Sequence, residues 1–74
     1  MFEKVCFILA NFAEVDMSQM TMETDLLNDL DLNSLDVMEA VIQFENEFHI
    51  EISDRQVWSF NTIGDIVGFI NGKA

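Results

Sequence analysis

The sequence predicts an all-α fold of four helices, three longer ones and a short third, with a long irregular segment after the first. Three observations predict it. Apolar residues recur at three- and four-residue steps in separate stretches, the spacing that lines one face of a helix. A short polar residue with a partner side chain three positions on stands before the later stretches: Asn33 with Asp36, Ser53 with Gln56 and Thr62 with Asp65. The chain also contains no proline, so each helix can run unbroken.

In the first stretch Phe2, Val5, Cys6, Ile8, Leu9, Phe12 and Ala13 share a face, which predicts a helix over 2–14. From Val15 to Leu32 the period lapses, and Met17, Met20, Met22, Leu26, Leu27 and Leu30 alternate with Ser18, Thr21, Thr24 and Asn28. A segment this long in so small a domain must pack through its own side chains. Asn33 is the expected N-cap of a second helix running to about Phe48, with Asp36 near its positive end. Ser53 and Gln56 box a short third helix whose Trp58 and Phe60 read as core fillers. Thr62 and Asp65 open a fourth, where Ile63, Ile66, Val67 and Ile70 make one stripe and Gly72 is the expected stop.

The second helix carries two apolar stripes. Val37, Ala40, Val41, Phe44 and Phe48 share one side; Leu35, Met38 and Ile42 share another, roughly 120° away at about 100° per residue. A chain of 74 residues has too small a core to cover so wide an arc. A partly exposed Leu35, Met38 and Ile42 patch bordered by Asp36, Glu39 and Glu47 therefore reads as a docking surface.

Charge points the same way. Fourteen acids against three bases give a formal net charge of −11, and residues 31–54 hold seven acids and no base. Such a surface repels phosphate backbones and anionic lipid, so neither nucleic acid nor a membrane is the expected partner; basic proteins are. With half its residues hydrophobic, the chain has too much core material for a disordered acidic tail. It is expected to form one domain over 1–74, a monomer, with little room for an enzyme pocket. The single Cys6 reads as a small buried hydrophobe and suits a reducing cytoplasm. The apolar start has a faint likeness to a signal peptide, but Glu3 and Asn11 interrupt it, and no run approaches a membrane span.

Few side chains offer catalytic chemistry. His49 has no neighbouring histidine or cysteine and reads as a ring set against the carbonyl end of the second helix. Asp29, Asp31 and Asn33 match the first positions of a calcium loop, but Ser34 and Ala40 stand where glycine and a bidentate glutamate belong. At most a weak divalent site at Asp29, Asp31 and Asp36 is expected. Ser34 is the chemically suggestive group: its hydroxyl lies in the first turn of the second helix, where a phosphate ester would meet free backbone N–H groups.

In Asp29-Leu30-Asp31-Leu32-Asn33-Ser34-Leu35-Asp36 the chain resembles the carrier-serine motif of the acyl carrier protein family, Asp-Leu-Gly-x-Asp-Ser-Leu-Asp. Glu39 to Phe44, Glu45-Asn46-Glu47-Phe48 and Glu51-Ile52 are similar to its acidic recognition helix and exit, and Phe69-Ile70-Asn71-Gly72 to its ending. The resemblance spans nearly the whole chain. It implies a small four-helix bundle whose Ser34 carries 4′-phosphopantetheine through a phosphodiester, the arm's thiol holding acyl groups as thioesters. It implies a carrier, not an enzyme, charged by a phosphopantetheinyl transferase. Acyl-transferring, condensing and reducing enzymes with basic patches would then act on it, in fatty-acid synthesis or related polyketide or secondary lipid synthesis. Two positions depart from the motif: Asp31 stands for its glycine and Asn33 for the aspartate before the serine. The alternatives are an aminoacyl or peptidyl carrier, and an acidic docking or divalent-cation module with no covalent arm.

Overall fold

A computed structural model describes residues 1–73. Its helices are α1 (Phe2–Ala10), α2 (Ser34–Phe48), α3 (Asp54–Val57) and α4 (Ile63–Lys73), with a 3-10 turn at Met17–Gln19. α1 packs on α2 and on α4, and α2 packs on α3. The described residues form no strand, only an isolated antiparallel bridge between Asp25 and Thr62. One contiguous core runs through all four helices and the long loop, with Phe44, Ile63 and Ile70 fully enclosed at its centre.

The first helix is shorter than its apolar period. Beyond Ala10 the N–H groups of Asn11 and Phe12 donate to the carbonyls three residues back, a tightened turn, and Phe12 and Ala13 reach the core from it half-buried. Asparagine is a poor helix former because its side chain competes for the backbone. The fourth helix is longer than expected, because Gly72 continues it to Lys73. Glycine permits a left-handed stop without imposing one.

The long loop packs as its leucines demand. Leu26, Leu30 and Leu32 are buried, and the Asp25 carboxylate closes the turn between them by accepting from the N–H groups of Leu27 and Asn28. The loop also satisfies the start of α4, whose first N–H groups have no partner within the helix. The N–H of Ile63 donates to the Thr24 carbonyl at 3.0 Å and that of Gly64 to the Met22 carbonyl at 2.8 Å. A Cβ at residue 64 would stand 2.9 Å from that same Met22 oxygen, so the approach requires glycine.

At the other starts, Thr62 and Asp65 exchange side-chain and backbone bonds in a complete box. Ser53 accepts from the Gln56 N–H, but the Gln56 amide donates to Ser59 instead of returning to Ser53, so that box is half made. α2 ends on His49 in the left-handed conformation, φ 55°. The backbone N–H groups of His49 and Ile50, both donating to the Glu45 carbonyl, close this end, where the sequence suggested the imidazole ring.

Candidate functional site

The site is assembled by a turn that buries leucines on both sides of it. Asp31 takes φ 54°, and this left-handed step lets Leu30 and Leu32 enter the core together while Asp31 stays exposed. Asn33 follows in extended backbone and caps α2 reciprocally. Its Oδ1 accepts from the Asp36 N–H at 2.8 Å, and the Asp36 carboxylate accepts from the Asn33 N–H at 3.3 Å. Ser34 is thereby set as the first residue of a 15-residue helix, exposed and with its hydroxyl free of hydrogen bonds among the described residues. Asn33 thus caps α2 at the position where the motif has aspartate.

α2 turns Val37, Ala40, Val41 and Phe44 inward and leaves Leu35 64%, Met38 42% and Ile42 55% exposed, the second stripe expected from its spacing. Glu39 is exposed beside them and Asp36 half-buried in the cap. Glu47 lies at the far end of the helix and turns to α1, where it pairs with Lys4 at 3.3 Å. It is therefore separate from the Ser34 end of the patch.

Among the described residues no three histidine, cysteine, aspartate or glutamate side chains gather so as to hold a metal ion. Asp29, Asp31 and Asp36, where at most a weak divalent site was expected, thus form no such group. The reason is local: Asp29 turns back to accept from the Asp25 N–H, and Asp36 is engaged in the cap. The Cys6 thiol is enclosed in the core and burial raises its pKa, which makes it a filler and not a nucleophile.

Trp58 is the residue that sequence reasoning misplaced. Phe60 is buried as expected, but Trp58 is 58% exposed: α3 ends at Val57, so both aromatic residues lie beyond it and not within it, and Val57 and Phe60, three residues apart, take the inner side of the turn that follows, where the Phe60 N–H donates to the Val57 carbonyl at 3.2 Å. That spacing of three was the available signal. Trp58, with the exposed Leu27, lines a cleft of about 180 Å³ whose wall also includes Ser34. An unengaged hydroxyl at a helix N-terminus, open to solvent and with an apolar cleft alongside, suits the attachment of a phosphate ester followed by a flexible chain.

Residues 3–70 match the family described as a phosphopantetheine attachment site. The chain belongs to that family. This phosphopantetheine-binding chain is 40% identical over 72 residues to the acyl carrier protein of Thermotoga maritima, a match covering 97% of this chain and 89% of the relative. Its fold is similar to that of the acyl carrier protein from Enterococcus faecalis, with a TM-score of 0.86, 33% identity and coverage of 99% and 92% of the two chains. A solved chain from Mycobacterium tuberculosis, described as a candidate acyl carrier protein, superposes with a TM-score of 0.89 at 25% identity, covering 99% and 97%. The family's cofactor is 4′-phosphopantetheine, covalently attached, and its acyl carrier members are carriers, not enzymes. No helix among the described residues is long and apolar enough to cross a membrane.

Proposed function

We propose that Ser34 is the attachment residue and that the chain carries acyl intermediates as thioesters for fatty-acid synthesis or a related polyketide or secondary lipid synthesis. The observation that carries this reading is the Ser34 hydroxyl itself: exposed, unengaged and first in α2, inside the stretch that resembles the carrier-serine motif. In charging, Ser34 Oγ loses its proton and forms the ester bond to phosphorus as the nucleotide part of coenzyme A departs. The free N–H groups of the first turn favour the anionic diester that results. The 40% identity to a protein named acyl carrier protein favours an acyl cargo over an aminoacyl or peptidyl one.

Partner enzymes, the transferase among them, dock on α2. Leu35, Met38 and Ile42 supply apolar contact, while Asp36 and Glu39 attract basic patches; Glu47, already paired with Lys4, contributes at the rim. A buried free thiol suits a reducing cytoplasm. The test of the attachment residue is incubation with labelled coenzyme A and a phosphopantetheinyl transferase. The native protein takes label and Ser34→Ala takes none while keeping its melting temperature. Label on the variant, or at Ser18, Ser53 or Ser59 of the native protein, overturns the assignment.

A further inference from the structure

Phe7 lies on α1 outside the core, with 63% of its surface in solvent. Two hollows of about 390 and 330 Å³ lie against it, and both are lined by Phe7, Ile8 and Glu47, so together they form one groove where α1 crosses α2. No residue of this groove lines the cleft at Ser34. Ile8 is all but buried and makes the floor, with Phe7 as an apolar wall. Of the chain's three bases only Lys4 stands at the rim, and Glu47 already holds it at 3.3 Å, which leaves Glu3 without a cation among the described residues. At the other end Asn11, Gln43 and Asn46 offer amides to a visiting backbone. Asn46 stands one turn beyond Ile42 on α2, so the groove continues the stripe of Leu35, Met38 and Ile42.

An apolar floor under an acidic rim fits an apolar side chain flanked by lysine or arginine. A second copy of the chain, at a net charge of −11, is repelled. Among basic partners the phosphopantetheinyl transferase needs such an addition most. It meets Ser34 before any arm is present, so its affinity comes from the protein surface alone, whereas enzymes that act on the loaded chain also hold the arm and its cargo. A specific interface buries roughly 800 Å² on each partner, more than the three side chains of the α2 stripe supply. Asn33 also leaves one acid fewer beside Ser34 than the carrier-serine motif has. We propose that the groove between α1 and α2 is a second recognition site for the transferase. An apolar residue of the transferase packs on Phe7 and Ile8, and a basic neighbour pairs with Glu3. From residue 34 to residues 43–47 helix α2 advances about 14–20 Å, a distance that one interface of that size spans. This inference rests on α2 being the docking helix.

The test is the charging assay with saturating labelled coenzyme A and the transferase that charges the native chain, run at increasing concentrations of native protein, Phe7→Ser and Ile42→Ser. Phe7 is exposed, so Phe7→Ser keeps the native melting temperature. Losing a contact held equally before and during the reaction raises KM and leaves kcat alone. Phe7→Ser should raise KM about tenfold, the effect of removing one anchor of an interface, and Ile42→Ser should do likewise. Should Phe7→Ser not fold, Glu3→Lys takes its place, with a KM raised at low salt and approaching the native value as salt is added. A native KM in Phe7→Ser, or in Glu3→Lys where that variant stands in, beside a raised KM in Ile42→Ser overturns the groove and leaves the docking role of α2 standing. A native KM in Ile42→Ser refutes that docking role itself, and with it the footprint that joins stripe to groove. A native chain that sediments as a dimer, and as a monomer after Phe7→Ser, overturns the proposal by assigning the groove to a second copy.

Discussion

Asp31 and Asp65 show how much a single position decides. Asp31 holds φ 54°, a conformation that costs an L-residue roughly 1–2 kcal/mol, less for aspartate than for most. Glycine removes that cost but loses more freedom on folding, by up to about 1 kcal/mol. Asp31→Gly should therefore stabilise by a few tenths to about 1 kcal/mol, read as a higher urea midpoint with unchanged slope. A lower midpoint would mean that the aspartate side chain contributes something the backbone argument omits. That an aspartate stands in the glycine position of the motif was legible in the sequence. The left-handed turn at His49 was not, because nothing in a histidine announces αL. At Asp65 the backbone N–H groups of Asn61 and Thr62, at 2.9 and 3.1 Å, hold the carboxyl below the usual range, with the Thr62 hydroxyl adding to it. A folded pKa below the unfolded one gives stability that is whole above about pH 4 and is lost as pH falls through the folded value. Melting temperatures of native protein and Asp65→Asn should thus converge in acid from a gap at neutral pH. A gap independent of pH would assign the effect to the box geometry alone.

At the scale of elements, legibility followed period and caps. α2 was readable in both stripes because Val37, Ala40, Val41 and Phe44 fall a helical step from Leu35, Met38 and Ile42, and its cap pair Asn33 and Asp36 is reciprocal. α3 was readable as an existence, and because it has only four residues, the spacing of three between Val57 and Phe60 was the one pattern that bore on where Trp58 faces. The pairing of the loop with α4 was not readable at all, since the bonds from Ile63 and Gly64 to Thr24 and Met22 join residues about forty positions apart through backbone atoms. The docking role proposed for α2 divides by physics. Rim charges act on association and are screened over about 8 Å at physiological salt, while apolar anchors act on dissociation. Glu39→Lys should slow association with a cognate partner in a salt-dependent way. Met38→Ala should shorten the lifetime of the complex with little dependence on salt. Kinetics indifferent to both, but sensitive to changes on α4, would move the interface.

Across the whole molecule a net charge of −11 on 74 residues opposes compaction. With Asp29, Asp31 and Asp36 not gathered into a metal-holding group, that repulsion is diffuse. Sodium and magnesium chloride at matched ionic strength should therefore raise the melting temperature alike. A clear excess for magnesium would reveal a site that the folded arrangement of these carboxylates does not predict, and no rise with either salt would refute the repulsion itself. The same charge distribution, a helix start presenting a free hydroxyl and an exposed apolar stripe suit the substrate carrier proposed above. The most direct measurement is the intact mass, with peptide mapping, of the native chain co-produced with a phosphopantetheinyl transferase. The account predicts one 4′-phosphopantetheine per chain, in the peptide holding Ser34; an unmodified chain, or an arm mapped to any other residue, would contradict it.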